Sequence, residues 1–300
     1  MFEPREKTWA CGLAAVSLVV ALGAISSAPT AQAAPGPNLH AGSEEGVVHA
    51  KHAQTKSSAA SLLSWHKGQV MTSADITSIF WGSSWNDATK TGDKISGLDG
   101  LYSGIGGTTF MNTNTEYTGS NGRVGAAVTY RGHATDLTGA GTSAPSTSAV
   151  LAVVARNITN PVANGYYPVY SDIPRGSAGY CAWHSYGTIN NVPVQFGFFF
   201  RLDGDAGCDP GDTSGLHSQG LAAVANVSGH ELSEAVTDPR NGGWYDRTGA
   251  ENSDKCAWTF SGTLVTLANG SRWKIQGNFS NSAYTNHTGY NNGGGCIVTR

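Results

Sequence analysis

The stretch SGHELSEAVTDP, Ser228 to Pro239, decides how this chain is read. It closes a segment beginning near Ser218 in which Leu221, Val224, Ala225, Leu232 and Val236 recur at helical intervals, so the sequence predicts a helix with one buried stripe. Pro239 ends it, because proline disfavours helical backbone in the residue before it. Residues four apart share a helix face. His230 and Glu234 can therefore grip one ion while Glu231, a step round the cylinder, points at a ligand of that ion.

The helix reads His-Glu-x-x-Glu, a zinc-site pattern whose second histidine is a glutamate. Zinc sites commonly take three protein ligands and leave a position for water, whose pKa falls to about 7. GWYDRTGAENSDKCAW, Gly243 to Trp258, offers the third. Glu251 and Asp254 stand three apart, so in a helical turn one can ligate while the other orients His230 through its second ring nitrogen. Tyr245 can aim its hydroxyl at a developing oxyanion. Two carboxylate ligands neutralise a divalent ion and acidify its water less, so Mn²⁺ and Ca²⁺ compete better with Zn²⁺ than at a two-histidine site. Two other readings fit the same residues. Asp238, Asp246, Glu251 and Asp254 can build an all-oxygen calcium site that leaves His230 unused, or the polar groups can form a buried hydrogen-bonded cluster beside a disulfide.

Outward from the helix, the compartment is set by the first residues. Arg5 and Lys7 precede an apolar run from Trp9 to about Ile25, followed by Ala31-Gln32-Ala33, a small-x-small cleavage pattern, so residues 1–33 read as a signal peptide of an exported protein. Residues 34–64, rich in Ala, Gly, Ser and His and without a sustained period, read as a flexible lead or short prosegment before a single domain at 65–300. Only 13% of residues are charged and the net charge is −3, which provides no basic patch for nucleic acid or for an anionic membrane once the signal is gone. Cys181, Cys208, Cys256 and Cys296 remain after signal removal, an even number that favours two disulfides in an oxidising compartment, with three connectivities open.

Between lead and helix, DITSIFW (75–81) and GRVGAAVTY (122–130) read as strands flanking a helix marked by Ile95, Leu98, Leu101, Tyr102 and Ile105. A second helix spans about 146–159 with Ser146 or Thr147 as its cap, and YPVYSDI and VQFGFFFRL follow as strands. The order makes an α+β fold. His184, His217 and His287 read as structural or exposed residues that could also line a cleft. No G-x-S-x-G elbow supports a serine hydrolase.

Locally, GHELSEAVTDP, GWYD and GAENSD resemble the active-site stretch of thermolysin-like metallopeptidases. The resemblance implies a zincin-like mixed sheet with a long active-site helix. It makes His230, Glu234 and Glu251 the zinc ligands, Glu231 the general base, Tyr245 the transition-state tyrosine and Asp254 the partner that orients a ligand. From about Thr72 onward the chain is similar to the phosphate-induced, or Exordium-like, family of secreted proteins, on ITSIFWG, CAWH with a later cysteine, GHELSEAVTDP, GWYD, the acidic pair before Cys256 and a cysteine almost at the C-terminus. That family pattern implies the pairs Cys181–Cys208 and Cys256–Cys296. The expectation is a secreted zinc metallopeptidase acting on peptide or protein. The alternative, from another class, is a non-catalytic extracellular module that binds cell-wall polymer or a partner protein, with or without a structural Ca²⁺.

Overall fold

The computed structural model describes residues 36–51, 53 and 61–300; the expected signal peptide and part of the expected lead lie outside the described residues. A seven-stranded mixed sheet organises them. Its strands are β1 (Leu39–Ala41), β2 (Glu45–His49), β3 (Ala74–Trp81), β4 (Val128–Asp136), β5 (Gly165–Pro174), β6 (Tyr180–Ile189) and β7 (Val192–Arg201). The spatial order is β1-β6-β7-β5-β3-β4, and β2 also pairs with β6. β4, β3, β5 and β7 run parallel to one another, whereas β6 is antiparallel to β7, β1 and β2. With the helices and two disulfides this is an α+β fold with a mixed sheet.

Three helices cover the sheet: α1 (Lys94–Ile105), α2 (Thr147–Asn157) and α3 (Gln219–Thr237). The expected Ser146 cap is present, its hydroxyl accepting from the Ala149 amide. α2 and α3 lie on opposite faces, as the pleat shows. Gly187 faces Leu151 of α2, while His184, of opposite parity on the same strand, faces α3. α1 joins α3 through buried hydroxyls, Tyr102 to Tyr170 at 2.8 Å and Tyr170 to Ser228 at 2.7 Å. The central strands carry the core. Val194, Phe196, Phe198 and Phe199 of β7 are fully buried, each contributing roughly 1.5–3 kcal/mol by leaving water.

Three expectations are corrected. Within the flexible lead predicted at 34–64, the described residues Leu39–Ala41 and Glu45–His49 form β1 and β2 on the edge of β6, and Pro37–Arg300 is one compact unit. Strands of three and five residues are too short to show a period, and an edge strand with unpaired amides and carbonyls supplies their order. The strand predicted at 122–130 lies instead at Val128–Asp136; Gly125 packs so closely against the Thr72 carbonyl that 124–127 are held as a connector. β6 itself was missed. Its signal was the pair Asn190–Asn191, both at positive φ (51° and 66°), which closes the two-residue hairpin to β7.

Candidate metal centre

α3 is capped by Ser218, whose hydroxyl accepts from the Leu221 amide, and it ends at Asp238 before Pro239, as the sequence predicts. The single buried stripe is not what forms. Every residue from Gly220 to Thr237 is buried, because the sheet covers one side of the helix and the segment after residue 250 covers the other. That segment supplies amides and hydroxyls to match the polar ones. Gln276 N–H donates to Asn226 (2.9 Å), Asn278 Nδ2–H to Ser233 Oγ (3.0 Å), and the Ser253 hydroxyl to the His230 carbonyl (3.3 Å).

Two groups of potential ligands emerge, the atoms of each within 4.8 Å of one another: His184, Glu234 and Glu251, and His230, Glu234 and Asp254. Glu234 belongs to both. The expected trio of His230, Glu234 and Glu251 is not one of them. Nor is the site open, as a catalytic cation would require: His184, Glu231 and Glu234 are fully buried and Glu251 is 3% exposed.

Proton positions distinguish the two histidines. Gln276 Oε1 accepts from the Trp258 amide at 3.2 Å and its Nε2 donates to the Ser253 carbonyl at 3.0 Å, which fixes the side-chain amide. The same Nε2 stands 2.8 Å from His230 Nδ1, so Nδ1 is the bare acceptor and Nε2 carries the proton. That proton lies between Glu234 Oε1 (2.9 Å) and Asp254 Oδ1 (3.6 Å), aligned with neither. His184 is arranged the other way. Its Nδ1 donates to Glu231 Oε2 at 3.2 Å, so Nε2 is a bare lone pair 3.9 Å from Glu251 Oε1. Burial lowers its pKa to about 4, which keeps the ring neutral, as a ligand must be.

The carboxylates need something in return for their burial. Glu231 and Glu251 are pushed well above the ordinary carboxylate range by burial, Glu251 further by Glu234 and Asp238. Glu234 is raised to about 7 by burial and by Asp254, against the opposing pull of His230 and the Asp254 amide. Glu234 Oε1 takes that amide at 2.9 Å, but Glu234 Oε2, Glu231 Oε1, Glu251 Oε2, Asp238 Oδ2 and His184 Nε2 are buried with no hydrogen-bond partner. Five such atoms in one region fit the donors of a cation, since an unpaired buried acceptor costs about 1–3 kcal/mol.

The remaining predicted residues fall around this core. Asp254 Oδ2 accepts the Glu251 amide at 3.2 Å, so it shapes the turn carrying that ligand. Tyr245 lies at the rim, its ring stacked on His66 at 3.4 Å; partial burial and the charges of Asp238, Glu45 and Glu251 raise its phenol. Asp246 does not join a calcium site with Asp238, Glu251 and Asp254: its oxygens are taken by Lys255 (2.9 Å), Ser61 (2.7 Å) and Thr248 (2.6 Å). The cystines form as the family pattern implied, Cys181 with Cys208 and Cys256 with Cys296. The second closes residues 256–296, the segment that carries Gln276 and begins two residues after Asp254, and two cystines are consistent with an oxidising compartment. Among the described residues no helix is long and apolar enough to cross a membrane. Compared with protein-family models, with curated proteins and with solved structures, the chain finds no match.

Proposed function

We propose that this protein is a secreted metal-dependent hydrolase with a zincin-like arrangement, cutting peptide or protein, in which His184, Glu234 and Glu251 hold Zn²⁺ or Mn²⁺. The observation that carries the reading is the grouping of the buried His184, Glu234 and Glu251, whose potential ligand atoms lie within 4.8 Å of one another. When bound, the ion supplies Lewis acidity, acidifying water and polarising a carbonyl. The rest falls to the chain. Glu231 orients His184 through Oε2, and its free Oε1, on a carboxyl that burial makes more basic, is placed to take a proton from water. His230 and Asp254 steady Glu234 and the Glu251 turn. Tyr245 at the rim can donate its phenolic hydrogen to a developing oxyanion.

Glu231→Gln separates these roles. An amide oxygen still accepts from His184 Nδ1, so stoichiometric zinc should remain by elemental analysis, while hydrolysis of a casein-like substrate falls by about 10²-fold or more. Fully metal-loaded wild-type protein that cleaves nothing in a broad peptide library would remove the enzymatic reading. The closed site favours a second reading, a non-catalytic extracellular module whose ion, calcium included, is structural and whose surface binds wall polymer or a partner protein. That reading expects pull-down on insoluble glycan to be unchanged by Glu231→Gln.

A further inference from the structure

A hydrolytic site with every ligand buried cannot receive a substrate as it stands. What covers it is the lead. β2 pairs antiparallel with β6, with Glu45 opposite His184, Val48 opposite Ala182 and His49 opposite Tyr180. The register shifts between Glu45 and Val48, so Gly46 and Val47 form a bulge directly over the centre. Gly46 has a left-handed backbone (φ 45°), and a Cβ added there would overlap Glu234 Oε2 and the Nδ1–Cε1 edge of the His184 ring. The chain thus lies on the ligands at the one residue type with no side chain to keep it off them. Two further contacts hold the strand: the Ala50 amide donates to Gly179 O at 2.9 Å, and Trp258 Nε1–H donates to the His49 carbonyl at 2.8 Å.

We propose that β2 is a displaceable cover: residues 45–49 occupy the groove between β6 and α3 and close the metal centre, and this strand must leave β6 before the centre exchanges its ion or admits a substrate. The proposal rests on the metal reading above. The attachment suits the task. β2 is short, joins the sheet along one neighbour only, and carries a bulge that costs ladder hydrogen bonds, so it belongs among the segments that open at low free energy. By contrast β6 and β7 are buried between helices and tied by a hairpin, and they stay behind.

The test uses the full chain loaded with zinc or manganese alone and follows release of the ion to a chelator. In the wild type, release should be limited by opening and independent of chelator concentration. Gly46→Val, which forces a side chain against His184 and Glu234 without altering a ligand, should release the ion about tenfold faster or more, as expected when a cover is partly dislodged. Gly42→Val acts at the other end of the lead, where a Cβ would overlap the Tyr186 ring, and should accelerate release in the same direction. A synthetic peptide of residues 39–51 added to Gly46→Val should slow it again. Wild-type release that rises in proportion to chelator concentration, with no acceleration in either variant, overturns the cover alone and leaves the metal reading standing. Failure of the wild type to bind either ion overturns both.

Discussion

A histidine that binds a cation must be neutral and must hand its other nitrogen to a partner that fixes the ring. His184 meets both conditions; His230, whose Nε2 keeps its proton because Gln276 donates to Nδ1, does not present a lone pair to the centre. The two should therefore respond differently to substitution. His184→Ala should abolish stoichiometric zinc or manganese binding in titration calorimetry, whereas His230→Asn should weaken it only about 10–100-fold, the effect of losing a residue that orients a ligand. The opposite ranking would return His230 to the ligand set. Residue by residue, His230, Glu231, Glu234 and Asp254 were legible in the sequence because helix and turn spacing are local. His184 was not, since its role follows from the pleat of β6 and from the pairing that lays this strand beside α3, both set by contacts distant in sequence.

At the scale of the element, α3 shows why a helical pattern fixes existence and ends more firmly than surroundings. Ser218 and Pro239 bound it correctly, yet Asn226 and Ser233, outside the predicted apolar stripe, are buried against the Gln276 amide and the Asn278 side chain, and Ser228 and Thr237 are buried as well. Gly229 sits in this fully covered stretch, where glycine costs a helix about 1 kcal/mol relative to alanine. A Cβ there would meet Phe110 at 3.6 Å and Ile275 at 3.7 Å, ordinary contact distances. Gly229→Ala should accordingly stabilise the protein by roughly 0.5–1 kcal/mol, raising the melting temperature by on the order of 2–4 °C with metal content unchanged. A fall in melting temperature would show that the packing around α3 is tighter than these distances allow.

For the whole molecule, the balance of charge and burial around the centre sets how stability depends on pH. The unfolded chain loses the Glu234 proton near the ordinary value of 4.5, whereas the metal-free folded chain keeps it to about 7, and Glu231 and Glu251 are raised in the same sense by burial. Between these values the folded state binds more protons than the unfolded one, so stability falls as pH rises. For Glu234 alone the loss is about 3 kcal/mol. His184, held to about 4 when folded, opposes it by about 2 kcal/mol between pH 5 and its ordinary 6.5, while Glu231 and Glu251 add to it. The metal-free melting temperature should therefore fall from pH 5 to pH 8, with most of the fall above pH 6.5. A bound divalent ion takes the place of those protons. Loaded protein should then lose the downward slope, gaining about 2.7 kcal/mol at a free-ion concentration one hundred times the Kd. Its loading at pH 6 should also release protons, read as a dependence of the calorimetric heat on the ionisation enthalpy of the buffer. If the metal-free protein is as stable at pH 8 as at pH 5 and loading releases no protons, the carboxylates are already satisfied without an ion, and the cluster is a buried polar network in a disulfide-bonded domain.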